Sequence, residues 1–308
     1  MYHDSPVATP PMPLLRTRFA PSPTGYLHLG HIVSALYVWA VARKHRAEVL
    51  LRIEDHDQQR SKPAFSEAIR ADLTWLGLIT PHTKISHQGN HRQRYLDALA
   101  HLAAQGLVYA CSCSRADVLA MNVGKPGEDL FYSGKCRPEQ ALPVSLEALQ
   151  GAHVIRFRLE SESLLFNDGL CGQQVQTPAK QCGDFILVDG KKNFSYHLAN
   201  VVDDLHEGIS LIVRGEDILN STGRQLLLRR SLDPCKGEPS YYHHPLLYEE
   251  SGKGKLSKRH QSVAIGLRRE QGVEAQTIFA EALWRLGLRP EVEALDLEDA
   301  LAIIAEHC

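Results

Sequence analysis

The sequence lacks any long apolar run. None of its hydrophobic stretches approaches the roughly 18 residues of a membrane-spanning helix. Its first thirteen residues include four prolines and lack the apolar segment of a secretory signal. We therefore expect residues 1–13 to form a disordered tail and the protein to be cytoplasmic, with no membrane partner.

An excess of charge of one sign is also lacking. The 34 Lys and Arg residues against 36 Asp and Glu residues give a formal net charge of −2, which neither requires nor excludes a nucleic-acid partner. Any basic surface must be local. Basic pairs at 191–192, 229–230 and 268–269 are candidates for contact with RNA phosphates, although isolated pairs of this kind usually lie on solvated faces.

The cysteines do not suggest a disulfide framework. There are seven of them, an odd number, and only one close pair, so a reduced protein with a metal site is favoured over disulfide bonds. Four of them show no ligand spacing and receive no role: Cys171, Cys182, Cys235 and Cys308.

The order of predicted elements indicates an α/β fold. A strand at 14–19, a loop with two prolines and a glycine, a helix with periodic apolar residues from Ile32 to Ala42, and a strand at 49–53 form the βαβ unit of a parallel sheet. The chain is long enough for one large domain with an insertion, or for two modest domains.

We divide the chain by its changes of pattern. The predicted units are a first half of the α/β domain at 14–109, an insertion at 110–204, a second half at 205–260, and a short helical region at 261–308. Within the second half, strands are expected at 211–213 and 246–248, and a helix at 222–232 with Ser221 as its N-cap.

A loop rich in Pro, Gly and His follows the first strand. It places His28, Gly30 and His31 at a helix N-terminus, where unpaired N–H groups and the positive end of the dipole suit triphosphate oxygens. Gly30 permits close approach of a flat base, and the histidines can donate to phosphate. Taken alone, such a segment is more often a loop with two solvated histidines.

A second candidate is the basic loop Lys-Leu-Ser-Lys-Arg at 255–259, preceded by Ser-Gly-Lys-Gly. On such a glycine-flanked loop, Lys255 and Lys258 can close on a nucleotide and neutralise charge developing at the α-phosphate. A basic loop considered in isolation is usually only solvated.

In this order, the two loops resemble the HIGH and KMSKS signatures of class I aminoacyl-tRNA synthetases. The segments at 18–25 and 52–57 resemble those of glutamyl-tRNA synthetases, and the similarity spans about 16–259. It implies a doubly wound Rossmann-type nucleotide-binding catalytic domain with an α/β insertion, and an ATP-dependent ligase that uses Mg²⁺ with ATP. His28, Gly30, His31 and Lys258 would bind ATP, and His28, His31, Lys255 and Lys258 would be catalytic.

The resemblance also implies a pocket for L-glutamate. Glu54 would take the ammonium group, while Arg18 and Arg214 would bind carboxylate oxygens. Arg214 predicts rejection of glutamine, because a buried guanidinium without an anionic partner is costly. The alternative for each charged residue is a structural salt bridge. The full predicted set is Arg18, Phe19, Ala20, Pro21, Ser22, Glu54, Tyr196 and Arg214.

Three cysteines suggest one structural Zn²⁺ site. Cys111, Cys113 and Cys136 can supply thiolates, and no histidine lies between residues 113 and 136 to complete a tetrahedron. A shortened subgroup of the resembled family places a tyrosine where Tyr132 stands, which implies a phenolate as fourth ligand. Other fourth ligands are Glu128, Asp129 or water, and three free cysteines are the alternative to a metal.

The last predicted feature is the early ending. After Arg259 only 49 residues remain (308 minus 259), so we expect no anticodon-binding domain. This resembles a truncated paralogous family, the glutamyl-queuosine tRNA(Asp) synthetases. It implies tRNA-independent formation of glutamyl-adenylate, transfer of glutamate to queuosine at the wobble position of tRNA(Asp), and a monomer.

Two other functions stay open on the sequence. One is charging the 3′ end of tRNA(Glu), and the other is a non-catalytic RNA-binding paralogue. The intact residues of both signature loops argue against the second.

Overall fold

A computed structural model of the chain describes residues 14–57, 59–122, 130–149, 151–247 and 263–308. The predictions for residues 1–13, for Lys255 and Lys258, and for Glu128 and Asp129 lie outside these ranges. No helix among the described residues combines the length and apolar character needed to span a bilayer.

The strands of the described ranges are β1 Arg16–Phe19, β2 Glu48–Ile53, β3 Ile85–His87, β4 Val108–Cys111, β5 Val154–Phe157, β6 Leu164–Asp168, β7 Gly172–Gln176, β8 Ile186–Val188, β9 Leu211–Gly215 and β10 Ser240–His244. The helices are α1 Leu29–His45, α2 Pro63–Trp75, α3 Arg92–Ala104, α4 Arg115–Met121, α5 Leu146–Leu149, α6 Pro178–Gln181, α7 Tyr196–His206, α8 Thr222–Leu232, α9 Ile265–Glu270, α10 Ala275–Arg285 and α11 Leu297–Glu306.

The parallel strands form two segments that meet at β1 and β9. In one segment β2 pairs with β1 and β3, and in the other β10 pairs with β9 and β6. The backbone N–H of Ser210 donates to the carbonyl of Arg16 (3.0 Å) where the segments meet. The strand order is therefore β3-β2-β1-β9-β10-β6, with β7 antiparallel at the edge. The predicted doubly wound α/β fold is confirmed.

The two faces of this sheet differ because side chains alternate along each strand. On one face, Leu51 and Val213 pack into an apolar core with α1, which α10 and α11 cover from outside. On the other face, Arg18 and Arg52 reach α7, and Arg214 reaches α8. Three buried guanidinium groups thus lie towards the carboxyl ends of three parallel strands.

Buried ion pairs fasten α7 to the sheet. Asp204 accepts from Nε of Arg18 (2.9 Å) and pairs with the guanidinium of Arg52 (2.7 Å), which also contacts Glu207 (2.5 Å). Burial alone would raise the pKa of Asp204, but the two guanidinium groups hold it below its ordinary value. Asp204 therefore stays ionised and fixes the position of α7.

A separate antiparallel sheet, β4-β5-β8, packs beside α3 and α7 around its own apolar core. It lies within or next to the predicted insertion at 110–204. The same range also supplies β6 and β7, which extend the parallel sheet, so it contributes to two sheets. The unit boundaries given above stay a prediction.

Two local predictions differ from the structure. Of the strand expected at 246–248, residues 246–247 are described and form no strand. The preceding strand is β10, whose residues are Ser-Tyr-Tyr-His-His. The sequence of this segment is not apolar. His243 is nevertheless buried, since its hydrogen bond to Asp168 replaces contact with water. Ser221 makes no side-chain cap, since Glu216–Ser221 form a 3₁₀ helix that runs directly into α8.

Candidate active site

A cavity of about 400 Å³ opens at the carboxyl ends of β1 and β9. The chain crosses to opposite sides of the sheet from these two strands, and ligands bind at such switch points in open α/β sheets. The structure brings the described residues predicted to bind ATP and glutamate together here, and the one exception among them, Ser22, contacts the site through Glu54. The predicted residues that line the cavity are Arg18, Phe19, Ala20, Pro21, His28, Gly30, His31, Glu54, Tyr196 and Arg214.

His28 and His31 form a capping box at the start of α1. Nδ1 of His28 accepts from the backbone N–H of Gly30 (3.2 Å), and Nδ1 of His31 accepts from the backbone N–H of His28 (3.1 Å). Because both Nδ1 atoms act as acceptors, each neutral ring carries its proton on Nε2. The pair therefore presents two imidazole donors beside a helix N-terminus, an arrangement suited to phosphate oxygens.

Glu54 is buried where β2 ends. One carboxylate oxygen accepts from the amide of Asn200 (2.7 Å) and the other from the hydroxyl of Ser22 (3.2 Å). Arg52 donates to the side-chain oxygen Oδ1 of Asn200 (3.3 Å). This contact turns the NH₂ group of Asn200 towards Glu54. Burial raises the pKa of Glu54, although Asn200 and the charges of Arg52 and Arg18 oppose this. A cation entering the cavity would favour its ionised form.

Arg214 is buried and donates only to neutral groups. Its acceptors are Nε2 of His243 (2.9 Å), Oε1 of Gln225 (2.5 Å) and Oγ1 of Thr222 (2.8 Å). A guanidinium has five N–H donors, so two are left over. Among the described residues no carboxylate pairs with it, which removes the salt-bridge alternative for this residue. The cavity wall thus holds a positive charge suited to an entering carboxylate.

Arg18 differs from Arg214 because its charge is already matched by Asp204, with Nε and Oδ1 2.9 Å apart. Its predicted grip on a substrate carboxylate stays a prediction.

Apart from Ser22, the partners that hold these charges were given no role in the sequence analysis. Asn200 and Asp204 follow Tyr196 at intervals of four on α7, a polar stripe that was available as a signal. The partners of Arg214 come from α8 and β10, and no local pattern marks them.

The three cysteines predicted to bind a metal come close together at the end of β4. Sγ atoms of Cys111, Cys113 and Cys136 lie within 4.8 Å of one another. The Tyr132 hydroxyl is 3.4 Å from Sγ of Cys111, 3.9 Å from Sγ of Cys113, and accepts from the backbone N–H of Cys136 (2.8 Å). The four remaining cysteines lie outside the cluster.

The chemistry of this donor set fits a metal ion. Three sulfur atoms and a phenol oxygen converge as thiolate-rich metal sites require. Burial raises the pKa of Cys136, but hydrogen bonds, chiefly from Ser112, lower it to about 6. The Arg156 guanidinium stacks over the Tyr132 ring (3.6 Å) and donates to Sγ of Cys111 (3.3 Å), which offsets negative charge.

Comparison with known proteins agrees with this geometry. Residues 14–300 match the family model described as tRNA synthetases class I (E and Q), catalytic domain. A glutamyl-Q tRNA(Asp) synthetase from Symbiobacterium thermophilum is 36% identical over 304 residues, which cover 94% of this chain and 92% of the relative.

Two further relatives are longer than this chain. Glutamate–tRNA ligase 1 from Acidithiobacillus ferrooxidans is 38% identical over 260 residues, or 84% of this chain, which spans only 54% of that ligase. A solved glutamate-tRNA synthetase from Elizabethkingia anophelis superposes with a TM-score of 0.74 at 25% identity, covering 94% of this chain and 65% of the other.

These matches support glutamate activation and ligation to tRNA as the chemistry of this fold. The chain belongs to the class I tRNA synthetases of the E and Q type through their catalytic domain, and it is a ligase of that family.

Proposed function

We propose that this protein activates L-glutamate with ATP in the absence of tRNA and then transfers glutamate to queuosine at the wobble position of tRNA(Asp). The observation that carries the first step is the shared cavity of Glu54 and Arg214. Both are ionisable side chains whose hydrogen-bonding partners are neutral side chains. Glutamate offers one ammonium group and two carboxylates, and so supplies the opposite charge to both.

Activation requires positioning more than an enzyme nucleophile. The α-carboxylate of glutamate attacks the α-phosphorus of ATP, a phosphoanhydride bond breaks, and pyrophosphate leaves with the electron pair. Mg²⁺ would enter with ATP as part of the substrate. His28 and His31 would donate from Nε2 to phosphate oxygens, and Lys255 and Lys258 are proposed from the sequence to stabilise the developing charge.

The queuosine acceptor is supported by the pattern of similarity. The match to the glutamyl-Q tRNA(Asp) synthetase extends over 92% of that relative, against 54% of the glutamate–tRNA ligase. A second cavity of about 460 Å³ shares Tyr196 with the first and is walled by Arg156, His197 and Arg224. An acceptor base entering there would meet the adenylate next to Tyr196.

The metal would be Zn²⁺, held by Cys111, Cys113, Cys136 and Tyr132. When bound it would supply rigidity through four ligands and no redox chemistry. Arg156 links the cluster to the second cavity, because it contacts Tyr132 and Cys111 and also lines that cavity. The cluster would therefore shape the path of the RNA while the glutamate pocket works without it.

Charging of tRNA(Glu) at its 3′ end is the second candidate, favoured by the 38% identity to the glutamate–tRNA ligase. One experiment separates the two. The protein is incubated with ATP, labelled glutamate and either tRNA(Asp) or tRNA(Glu), from pools with and without queuosine. Each RNA is used both with an intact 3′ end and in a form whose terminal ribose lacks both hydroxyl groups. A blocked 3′ end prevents ordinary charging and leaves queuosine intact.

We expect glutamate-dependent pyrophosphate exchange without tRNA, and label on queuosine-containing tRNA(Asp) whether or not its 3′ end is blocked. Glutamine should support neither reaction. Label on tRNA(Glu) that disappears when the 3′ end is blocked would overturn the queuosine proposal and establish the second candidate. Absence of any glutamate-dependent exchange would overturn activation itself.

A further inference from the structure

Arg214 is the end of a buried chain of hydrogen bonds that begins at Asp168. Oδ2 of Asp168 lies 2.5 Å from Nδ1 of His243, and Nε2 of His243 lies 2.9 Å from Nε of Arg214. The side chains of Asp168 and His243 are fully buried. Asp168 and His243 come from β6 and β10, which pair at this point of the sheet.

The pattern of partners fixes the tautomer of His243. Nε of Arg214 can only donate, so Nε2 of His243 must accept. The ring proton then sits on Nδ1 and is donated to Asp168. Burial is the main reason that the pKa of His243 lies below its ordinary value, and the charge of Arg214 acts in the same direction against Asp168. The ring is therefore neutral at physiological pH.

Asp168 is itself locked in one orientation. Its Oδ1 accepts from the backbone N–H groups of Leu170 (3.0 Å), Cys171 (2.9 Å) and His243 (3.1 Å). Only Oδ2 is directed at the imidazole. A side chain at position 168 that keeps Oδ1 in this place must present its second terminal atom to Nδ1 of His243.

We propose that Asp168 and His243 are positioning residues that orient Arg214 and reserve its charge for the side-chain carboxylate of glutamate. This inference rests on the proposed glutamate activation. A carboxylate placed directly against Arg214 would neutralise it, as Asp204 does for Arg18. The neutral imidazole of His243 holds the guanidinium by a hydrogen bond. Because the ring lies between the two groups, it also keeps the charge of Asp168 away from Arg214. Discrimination against glutamine follows, because the amide brings no counter-charge.

The remaining partners of Arg214 support the same reading. Thr222 and Gln225 of α8 accept from its two terminal nitrogens, and Gln225 turns its oxygen to Arg214 because its amide faces Nδ1 of His197 (3.3 Å). Every group that contacts the guanidinium among the described residues is uncharged. The planar fork is thus fixed on several sides without loss of its charge.

Asp168→Asn is the most direct test. Because Oδ1 is held by three backbone N–H groups, the new NH₂ group must face His243 and donate to Nδ1. The ring proton moves to Nε2, where it opposes the Nε–H of Arg214, the same kind of tautomer reversal that an Asp→Asn change causes beside a catalytic histidine. The shape of the site is kept and only the hydrogen-bond polarity is reversed.

Pyrophosphate exchange is measured for this variant with glutamate and with glutamine, together with KM for each substrate. We expect KM for glutamate to rise about tenfold or more, KM for ATP to change by less than about twofold, and the preference for glutamate over glutamine to fall. His45→Gln is the matched control, because this histidine bonds Tyr242 (2.7 Å) away from the cavity.

His243→Gln and His243→Asn test the role of His243 independently. The longer amide can place an oxygen near the former Nε2 and accept from Arg214, whereas the shorter one reaches only towards Asp168. We expect His243→Gln to keep more of the glutamate affinity and selectivity than His243→Asn. Equal effects of the two amides on selectivity, or a folded Asp168→Asn enzyme with unchanged KM and selectivity, would overturn the inference. A wild-type protein without glutamate-dependent exchange would instead overturn the proposed function.

Discussion

At the scale of single residues, the proposed recognition of glutamate depends on two buried charges that are supported without being neutralised. Glu54 is hydrogen-bonded by Asn200 and Ser22, and Arg214 by groups of α8 and β10. Burial of such charges costs free energy that a substrate of opposite charge restores on binding. We therefore expect the pocket to favour an amino acid with a negative side chain over a neutral one of the same shape.

Glu54→Gln should weaken glutamate binding. The substitution keeps the shape and one acceptor but removes the negative charge opposite the substrate ammonium. A hydrogen bond to a charged group contributes about 1.5–3 kcal/mol, so KM for glutamate should rise about 10- to 100-fold in pyrophosphate exchange. Ser22→Ala, which removes only a neutral partner of Glu54, should have a smaller effect.

The pH dependence provides the check on this residue. The proposed contact of Glu54 with the ammonium group requires its ionised form, and burial raises the pKa of Glu54. As pH falls through that raised pKa the carboxylate is protonated, so KM for glutamate should begin to rise at a higher pH than the ordinary glutamate value of about 4.3 would give. The variant should lack this rise, and an identical pH profile in both proteins would contradict the assignment.

At the scale of elements, α7 is the structural support of the pocket. It carries Tyr196 and Asn200 at the cavity and Asp204 at the sheet, and Glu207 follows directly after its last residue. Arg52, whose side chain has no exposed surface, forms ion pairs with both Asp204 and Glu207. The position of Asn200 against Glu54 therefore depends on an ion-pair network under the cavity.

Arg52→Met should destabilise the fold strongly. The change retains an apolar stem of comparable length and leaves Asp204 and Glu207 with less compensation in a buried setting. Breaking one side of a buried network of this kind costs about 3–5 kcal/mol, measurable as a loss in the free energy of unfolding in urea.

The matched control is Arg230→Met on α8. Arg230 also bridges two carboxylates, Glu162 and Glu238, but its side chain is 40% exposed. Its loss should cost less than about 1 kcal/mol. Equal losses in the two variants would show that burial of the Arg52 network contributes nothing.

At the scale of the whole molecule, the second cavity lies between the first cavity and the cysteine cluster and adjoins both. Tyr196 lines both cavities, and Cys113 and Arg156 line the second one together with His197. The first cavity is lined by none of the cluster residues. We therefore expect activation and transfer to depend on different parts of the molecule.

Removal of the metal should separate these two steps. Purified under reducing conditions without chelator, the protein should contain about one Zn²⁺ per chain. Chelation or Cys136→Ser should leave pyrophosphate exchange within about twofold and lower transfer of glutamate to RNA. Cys235→Ser, at an exposed cysteine outside the cluster, should leave metal content and both reactions unchanged. An equal loss of exchange and transfer on chelation would contradict the separation.

Local sequence signals predicted the parts of the site that lie close together in the chain. The loop with His28, Gly30 and His31 is both a helix start and a predicted phosphate site, and these residues cap α1 and line the cavity. Alternating strands and periodic helices also predicted β1, α1, β2 and α8. The strand β10 was missed because its burial depends on a partner 75 residues away, Asp168.

The sequence by itself determined the fold class, the family resemblance and the chemical types at the site, because these depend on periodicity and on short motifs. Only the tertiary structure decided which charges are neutralised. Arg18 and Arg214 are both buried arginines in the sequence-predicted pocket, yet Arg18 meets Asp204, 186 residues away, and Arg214 meets neutral groups. Electrostatic compensation depends on distance in space, and in this fold the relevant partners come from strands and helices far apart in the chain.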